Sequence, residues 1–159
     1  MNALAEKVAA KLLERRAFVA TAESCTGGWV SQALTAIAGS SAWFERGFVT
    51  YSDPAKEELL GVRAATLAQH GAVSEPVARE MALGALAHSH AAVALAVTGI
   101  AGPSGGSREK PVGTVCFAWA AAEGALRAET RLFGGDREEV RRQSVERALT
   151  GLLELLDAR

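Results

Sequence analysis

The sequence predicts an α/β fold: a three-layer α/β/α sandwich around a mixed sheet. Three observations lead there. Short apolar runs of strand length recur between segments whose apolar residues fall at helical spacing. Two of the runs, residues 112–121 and 126–133, meet across Glu123-Gly124 as a hairpin, so one strand pair is antiparallel. The remaining strands and helices mix without strict alternation, a pattern that suits a sheet covered by helices on both faces. At 159 residues the chain is read as one domain, residues 1–159, long enough to bury a core.

Residues 3–15 carry Leu4, Val8 and Leu12 with neighbouring alanines, a helix that packs one stripe inward. Residues 18–22 form a short buried strand. A helix over 26–37 follows and closes near Gly39. The β-rich stretch 44–51 reads as a second strand. Asp53 caps the next helix with Pro54 at its first position, and that helix ends by Gly61. Residues 66–70 make one helical turn. Ser74-Glu75-Pro76 opens a helix carrying to about Ser89, with Val77, Met81 and Ala85 spaced four apart. The uncharged run 91–97 is a buried strand, and 99–106 is a loop with four glycines. After the hairpin, Asp136 caps a final helix to Asp157 with Val145, Leu149, Leu152 and Leu156 on one face.

Bulk chemistry excludes several roles. The chain is 49% apolar and 22% charged with net charge −1, so no strong field draws it to nucleic acid or acidic lipid. No apolar run reaches the roughly 18 residues of a membrane span. Met1 begins an amphipathic stretch unlike a signal peptide. Cys25 and Cys116 fit neither a disulfide framework nor a metal site, so a reduced, cytoplasmic setting is expected. His88 and His90 have poor ligand spacing and read as surface residues. His70 reads as a helix-end residue.

The chemistry concentrates in a few stretches. Thr21-Ala22-Glu23-Ser24-Cys25-Thr26-Gly27-Gly28 lies between a strand and a helix. Such a turn sets a hydroxyl beside free backbone N–H groups at the positive end of a helix. Ser24 there is either a nucleophile or an ordinary cap. Cys25 reads as a packed side chain more readily than as a thiol nucleophile. Lys56 stands in a first helical turn, where the dipole opposes a cation. It is either solvated beside Glu57 and Glu58 or a buried base of lowered pKa. Tyr51 is a core residue or a proton relay. The loop from Thr98 through Gly99 and Gly102 is an anion cradle or merely flexible. Arg137, after Gly134-Gly135, holds an anionic group or pairs with Glu138 and Glu139 at the surface.

Five stretches together resemble one family. They are Thr21 to Gly28, Phe48-Val49-Thr50-Tyr51-Ser52 with Lys56, Gly71-Ala72-Val73-Ser74-Glu75, Val97-Thr98-Gly99-Ile100-Ala101-Gly102-Pro103 and Lys110-Pro111-Val112-Gly113-Thr114. In order and length they are similar to the CinA C-terminal domain family, the nicotinamide-nucleotide amidases. The resemblance implies hydrolysis of nicotinamide mononucleotide to nicotinic acid mononucleotide and ammonia. It implies a small-molecule nucleotide as substrate, no cofactor, no metal, an α/β/α fold and a homodimer. Matched residue by residue, Ser24 is the nucleophile and Lys56 its base, with Tyr51, Thr98 and Arg137 in support. The Arg137 match rests on a short Gly-Asp-Arg stretch. Proton transfer through Tyr51 or Thr98 is one expectation. Cys25, Thr26, Gly27, Gly28, Gly99 and Gly102 are the candidate substrate contacts, through their backbone N–H groups. Some relatives carry a second, N-terminal domain of nucleotide pyrophosphatase type; no such segment is present, so that activity is not expected. The rivals are a non-catalytic nucleotide-binding or regulatory module, and a structural domain in which Ser24 only caps. Ammonia release separates the amidase from both.

Overall fold

A computed structural model describes residues 1–158. The elements run α1 (Asn2–Arg15), β1 (Val19–Glu23), α2 (Trp29–Thr35), a 3₁₀ turn (Ser40–Ala42), β2 (Phe44–Val49) and α3 (Asp53–Leu60). They continue α4 (Ala64–His70), α5 (Glu75–Ala87), β3 (Val93–Gly99), β4 (Thr114–Ala121), β5 (Leu126–Leu132) and α6 (Arg137–Asp157). One five-stranded sheet has the order β2-β1-β3-β4-β5. β1 runs parallel to both β2 and β3, and β3–β4 and β4–β5 are antiparallel, so the sheet is mixed. No described helix is long and apolar enough to cross a membrane.

The two faces of the sheet differ in side-chain size, and the sequence alternation sets this. In β3, Val93, Leu95 and Val97 point to one face, while Ala94 and Ala96 point to the other. The first face packs α1, α2 and α6 through Val8, Leu12, Val30, Leu34, Leu149 and Leu152. The second is a floor of alanines from β1, β3 and β4, on which α5 lies through Val77, Met81 and Ala85. Fully burying each large apolar side chain of these layers contributes about 1.5–3 kcal/mol. Small residues permit close approach at two places. A Cβ on Gly84 of α5 would run into the Leu60 carbonyl, and one on Gly151 of α6 into the Trp119 ring. Trp119 is anchored there by donating from Nε1 to Ala148 O at 2.9 Å.

Several boundaries depart from the sequence reading, each for a local reason. The second helix begins at Trp29, because residues 24–28 form turns closed by Gly27 N–H on Ser24 O and Trp29 N–H on Thr26 O. The cap of α3 is Ser52, whose Oγ accepts from Ala55 N–H at 3.2 Å; Asp53 is the first helical residue. The expected single turn at 66–70 is the seven-residue α4. β4 starts at Thr114 because Gly113 N–H bonds back to Ile100 O, which keeps residues 112–113 in the loop. The Asp136 cap is present as a full capping box with Glu139.

Candidate active site

The three parallel strands deliver their carboxyl ends to one place. From β1 the chain crosses to β2 by way of α2 on one face. From β2 it crosses to β3 by way of α3, α4 and α5 on the other. Crossovers on opposite faces open a crevice at the strand ends, where α/β sheets place their ligands. Ser24 directly follows β1, Tyr51 lies two residues past β2, and Thr98 is the penultimate residue of β3. Ser24 N–H donates to Val97 O at 3.0 Å and Thr50 N–H to Glu23 O at 2.8 Å, so both ends extend the parallel pairing and are held stiffly.

Lys56 reaches Ser24 directly. Its Nζ lies 3.0 Å from Ser24 Oγ, 2.9 Å from Thr50 O and 3.2 Å from Tyr51 O. Ser24 Oγ also donates to Tyr51 O at 3.3 Å. Lys56 is only 1% exposed and Ser24 8% exposed. Burial holds the lysine below its ordinary pKa, against the opposing influence of Asp53 and Cys25. The solvated reading of Lys56 is therefore wrong, and burial is the main cause of the shift. Nζ donates to three acceptors, the two carbonyls and Ser24 Oγ, which match the three N–H groups of an ammonium, while burial favours loss of its proton and so brings the neutral amine closer to hand.

Glu23 is the residue that sequence reasoning missed. Its side chain is fully buried and collects five donors. Oε1 accepts from Thr26 Oγ1 at 2.6 Å, Gly28 N–H at 3.2 Å and Val30 N–H at 2.8 Å. Oε2 accepts from Ser31 N–H at 2.9 Å and Ser31 Oγ at 2.8 Å. The N–H groups at the start of α2 are thus not free for a substrate anion, as the sequence suggested. The chain supplies its own anion there. Thr26 is fully buried with its hydroxyl on Glu23, and Gly27 and Gly28 carry φ of 57° and 105°, which let the turn close. Within the turn, the N–H groups of Cys25 and Thr26 donate to no other described residue. The only sequence signal for Glu23 was a carboxylate four residues before the first glycine of a diglycine helix start.

The remaining candidates spread around this centre. Thr98 is buried, and its hydroxyl donates to Ala72 O at 2.9 Å, away from Ser24 and Lys56. Tyr51 is 59% exposed, so it is not a core residue. Its phenol oxygen accepts from Arg137 Nη2 at 3.1 Å. Arg137 Nη1 donates to Gly102 O at 2.8 Å, so this arginine joins the Gly-rich loop to Tyr51 at the rim. The Tyr51 phenol and the Thr98 hydroxyl bond elsewhere, and Lys56 and Ser24 touch without either between them. Gly99 leaves no room for a Cβ, with Val115 Cγ2 at 2.8 Å and Cys25 Sγ at 3.1 Å. Cys25 is buried, which pushes its thiol pKa up to about 12 and suits packing rather than nucleophilic attack. Arg141, also missed, donates to the carbonyls of Cys25 and Thr26.

The buried serine, the amine on it and the order of motifs meet a match in known proteins. The model of the CinA C-terminal domain matches residues 1–156. The chain belongs to the CinA C-terminal domain family. It is 60% identical over 149 residues to the nicotinamide-nucleotide amidohydrolase PncC of Escherichia coli strain K12, covering 94% of this chain and 90% of the relative. It is 51% identical over 155 residues to the protein of the same name from Pseudomonas putida, covering 98% and 96%. Among solved structures, the competence/damage inducible protein CihA from Agrobacterium tumefaciens superposes with a TM-score of 0.95 at 48% identity, over 97% of this chain and 94% of that one. The family's α/β fold is the fold described above.

Proposed function

We propose that this chain is a nicotinamide-nucleotide amidase in which Ser24 and Lys56 hydrolyse the carboxamide of nicotinamide mononucleotide. The observation that carries the reading is the 3.0 Å contact between Lys56 Nζ and Ser24 Oγ in a buried setting. The relatives named for this activity match over nearly their whole length. Ser24 Oγ bonds to the carboxamide carbon, and its proton passes to the neutral Lys56 amine. The oxyanion is met by the unengaged N–H groups of Cys25 and Thr26. On collapse the C–N bond breaks, and Lys56 returns the proton to the leaving nitrogen, releasing ammonia. Water then attacks the acyl-serine. Lys56 takes the water's proton and gives it to Ser24 Oγ as nicotinic acid mononucleotide departs. Tyr51 contributes chiefly its carbonyl, which holds both Ser24 and Lys56. Arg137 and the loop from Gly99 to Gly102 face the substrate phosphate. No step uses a metal or a cofactor. The same reading carries a homodimer and a cytoplasmic setting, the first testable by sedimentation velocity.

An ammonia-release assay tests the proposal. Purified protein is given nicotinamide mononucleotide, nicotinamide or NAD, with a chelator present. Turnover of the mononucleotide that disappears in Ser24→Ala supports the reading. Binding of the mononucleotide without ammonia release would favour the regulatory module instead.

A further inference from the structure

The turn that bears Ser24 is gripped from behind by a charge that the proposed chemistry does not use. Arg141 lies on α6, one turn after Arg137. Its Nε donates to Cys25 O at 3.1 Å and its Nη2 to Thr26 O at 3.1 Å. The guanidinium also sits over the Trp29 ring, 5.4 Å from its centroid, which fixes its plane. Gly27 lies against it, with space for a Cβ at 3.5 Å from Arg141 Nη2, so its φ of 57° rather than crowding is what favours glycine there.

We propose that Arg141 is a positioning residue that aims and polarises the Thr26 N–H, one of the two oxyanion donors of the Ser24 turn. The inference rests on the amidase reading above. A trans peptide is planar, with C=O and N–H on opposite edges. Drawing the Cys25 carbonyl toward α6 therefore turns the Thr26 N–H away from α6. Drawing the Thr26 carbonyl the same way turns the Gly27 N–H onto Ser24 O, where it donates at 3.0 Å. Two hydrogen bonds from one rigid fork thus set two peptide planes beside the nucleophile. A cation on a peptide oxygen also strengthens the N–H on the other edge of the same peptide. The charge is felt at the turn: Arg141 favours the anionic form of the neighbouring Cys25 thiol, although burial outweighs it. Glu23 holds the far end of the turn through Gly28 and Val30 N–H. The turn is fixed by an anion on its N–H groups and a cation on its carbonyls.

The test compares Arg141→Gln and Arg141→Lys with the wild type. Two readouts are used: turnover of nicotinamide mononucleotide, and the rate at which a fluorophosphonate labels Ser24. Deleting one oxyanion donor costs about 10²–10³ in kcat, and misaiming one costs less. Arg141→Gln is expected to lower kcat about ten- to a hundredfold, with KM within about threefold of wild type. The labelling rate falls by a similar factor. The midpoint of the acidic limb of kcat/KM stays in place, because Arg141 touches neither Lys56 nor its carbonyl partners. Arg141→Lys keeps the charge with fewer bonds and falls between. If Arg141→Gln does not fold, Arg141→Lys decides alone: a lowered kcat at unchanged KM supports the proposal. Wild-type kcat and labelling in either variant overturn it, as does a raised KM at unchanged kcat. Failure of the amidase reading looks different: the wild type would not turn over the mononucleotide, while the labelling ratio would still report on Arg141.

Discussion

Replacing Lys56 with methionine should abolish turnover while leaving the fold nearly as stable. Met is unbranched and of similar length, so it fills the same buried channel. The substitution removes three hydrogen bonds, at 2.9, 3.0 and 3.2 Å. Hydrogen bonds to a charged group are worth about 1.5–3 kcal/mol each, so the gross loss is about 5–9 kcal/mol. Against this, the variant no longer buries an amine that is 1% exposed, a penalty of several kcal/mol for an ammonium. The terms nearly offset, and the net change should stay within about 3 kcal/mol, or about 10 °C in Tm for a chain of this size. Activity behaves otherwise: loss of a general base costs about 10²–10⁴ in rate. The pH dependence carries the sign. The folded-state pKa of Lys56 lies below its ordinary value. Between the two values the unfolded chain holds the proton and the native one does not, so native stability rises with pH. The stability of the wild type relative to Lys56→Met should therefore climb across that window, by up to about 1.4 kcal/mol per pH unit, and flatten near pH 10.4. Urea unfolding of both proteins from pH 7 to 10, with ammonia release assayed alongside, measures this. A stability difference that stays flat or falls with pH, or a variant keeping a tenth of wild-type kcat, would refute the reasoning.

Three further outcomes are expected. Glu23→Ala strips five donors of their acceptor, three of them backbone N–H groups; at about 1–3 kcal/mol for each group left unsatisfied, it should cost more than 3 kcal/mol by urea unfolding. A loss under 1 kcal/mol would show the turn does not depend on that carboxylate. Cys25→Ala should keep kcat within about threefold, and the wild type should resist iodoacetamide at pH 8, because the thiol is buried with its pKa pushed up to about 12. Rapid inactivation by the reagent, prevented by the mononucleotide, would contradict this. Thr50 Oγ1 is buried with no hydrogen-bond partner, so Thr50→Val should be neutral or raise stability by up to about 2 kcal/mol. A destabilisation of that size on thermal unfolding would mean the hydroxyl is satisfied in solution.

Much of the layered fold was legible because its signals are local. The uncharged run 91–97 marks a buried strand and Asp136 marks the start of the last helix, while the bulky and small faces of β3 and the part Glu139 plays in the cap emerge only in the structure. The Ser24 turn and Lys56 were legible as motifs, but their meeting at 3.0 Å was not. It depends on β1 and β2 being parallel neighbours, which spacing alone does not state. Glu23 was hidden because the strand reads as ending at residue 22, whereas Glu23 is its last residue and turns inward to accept from the N–H groups that open α2. Arg141 was hidden for a different reason. A helical arginine looks like surface charge until tertiary packing brings two carbonyls to it, 115 and 116 residues away in sequence.

Covalent trapping tests the central claim most directly. The protein is mixed with excess nicotinamide mononucleotide, quenched in acid within milliseconds, digested and weighed by mass spectrometry. A nucleophilic Ser24 predicts an ester of the substrate's acyl group on the peptide containing Ser24, formed with one equivalent of ammonia. The adduct should be absent from Ser24→Ala and should not form in Lys56→Met. Ammonia release that continues at wild-type rate in Ser24→Ala would contradict the account, as would an adduct found on Cys25 instead.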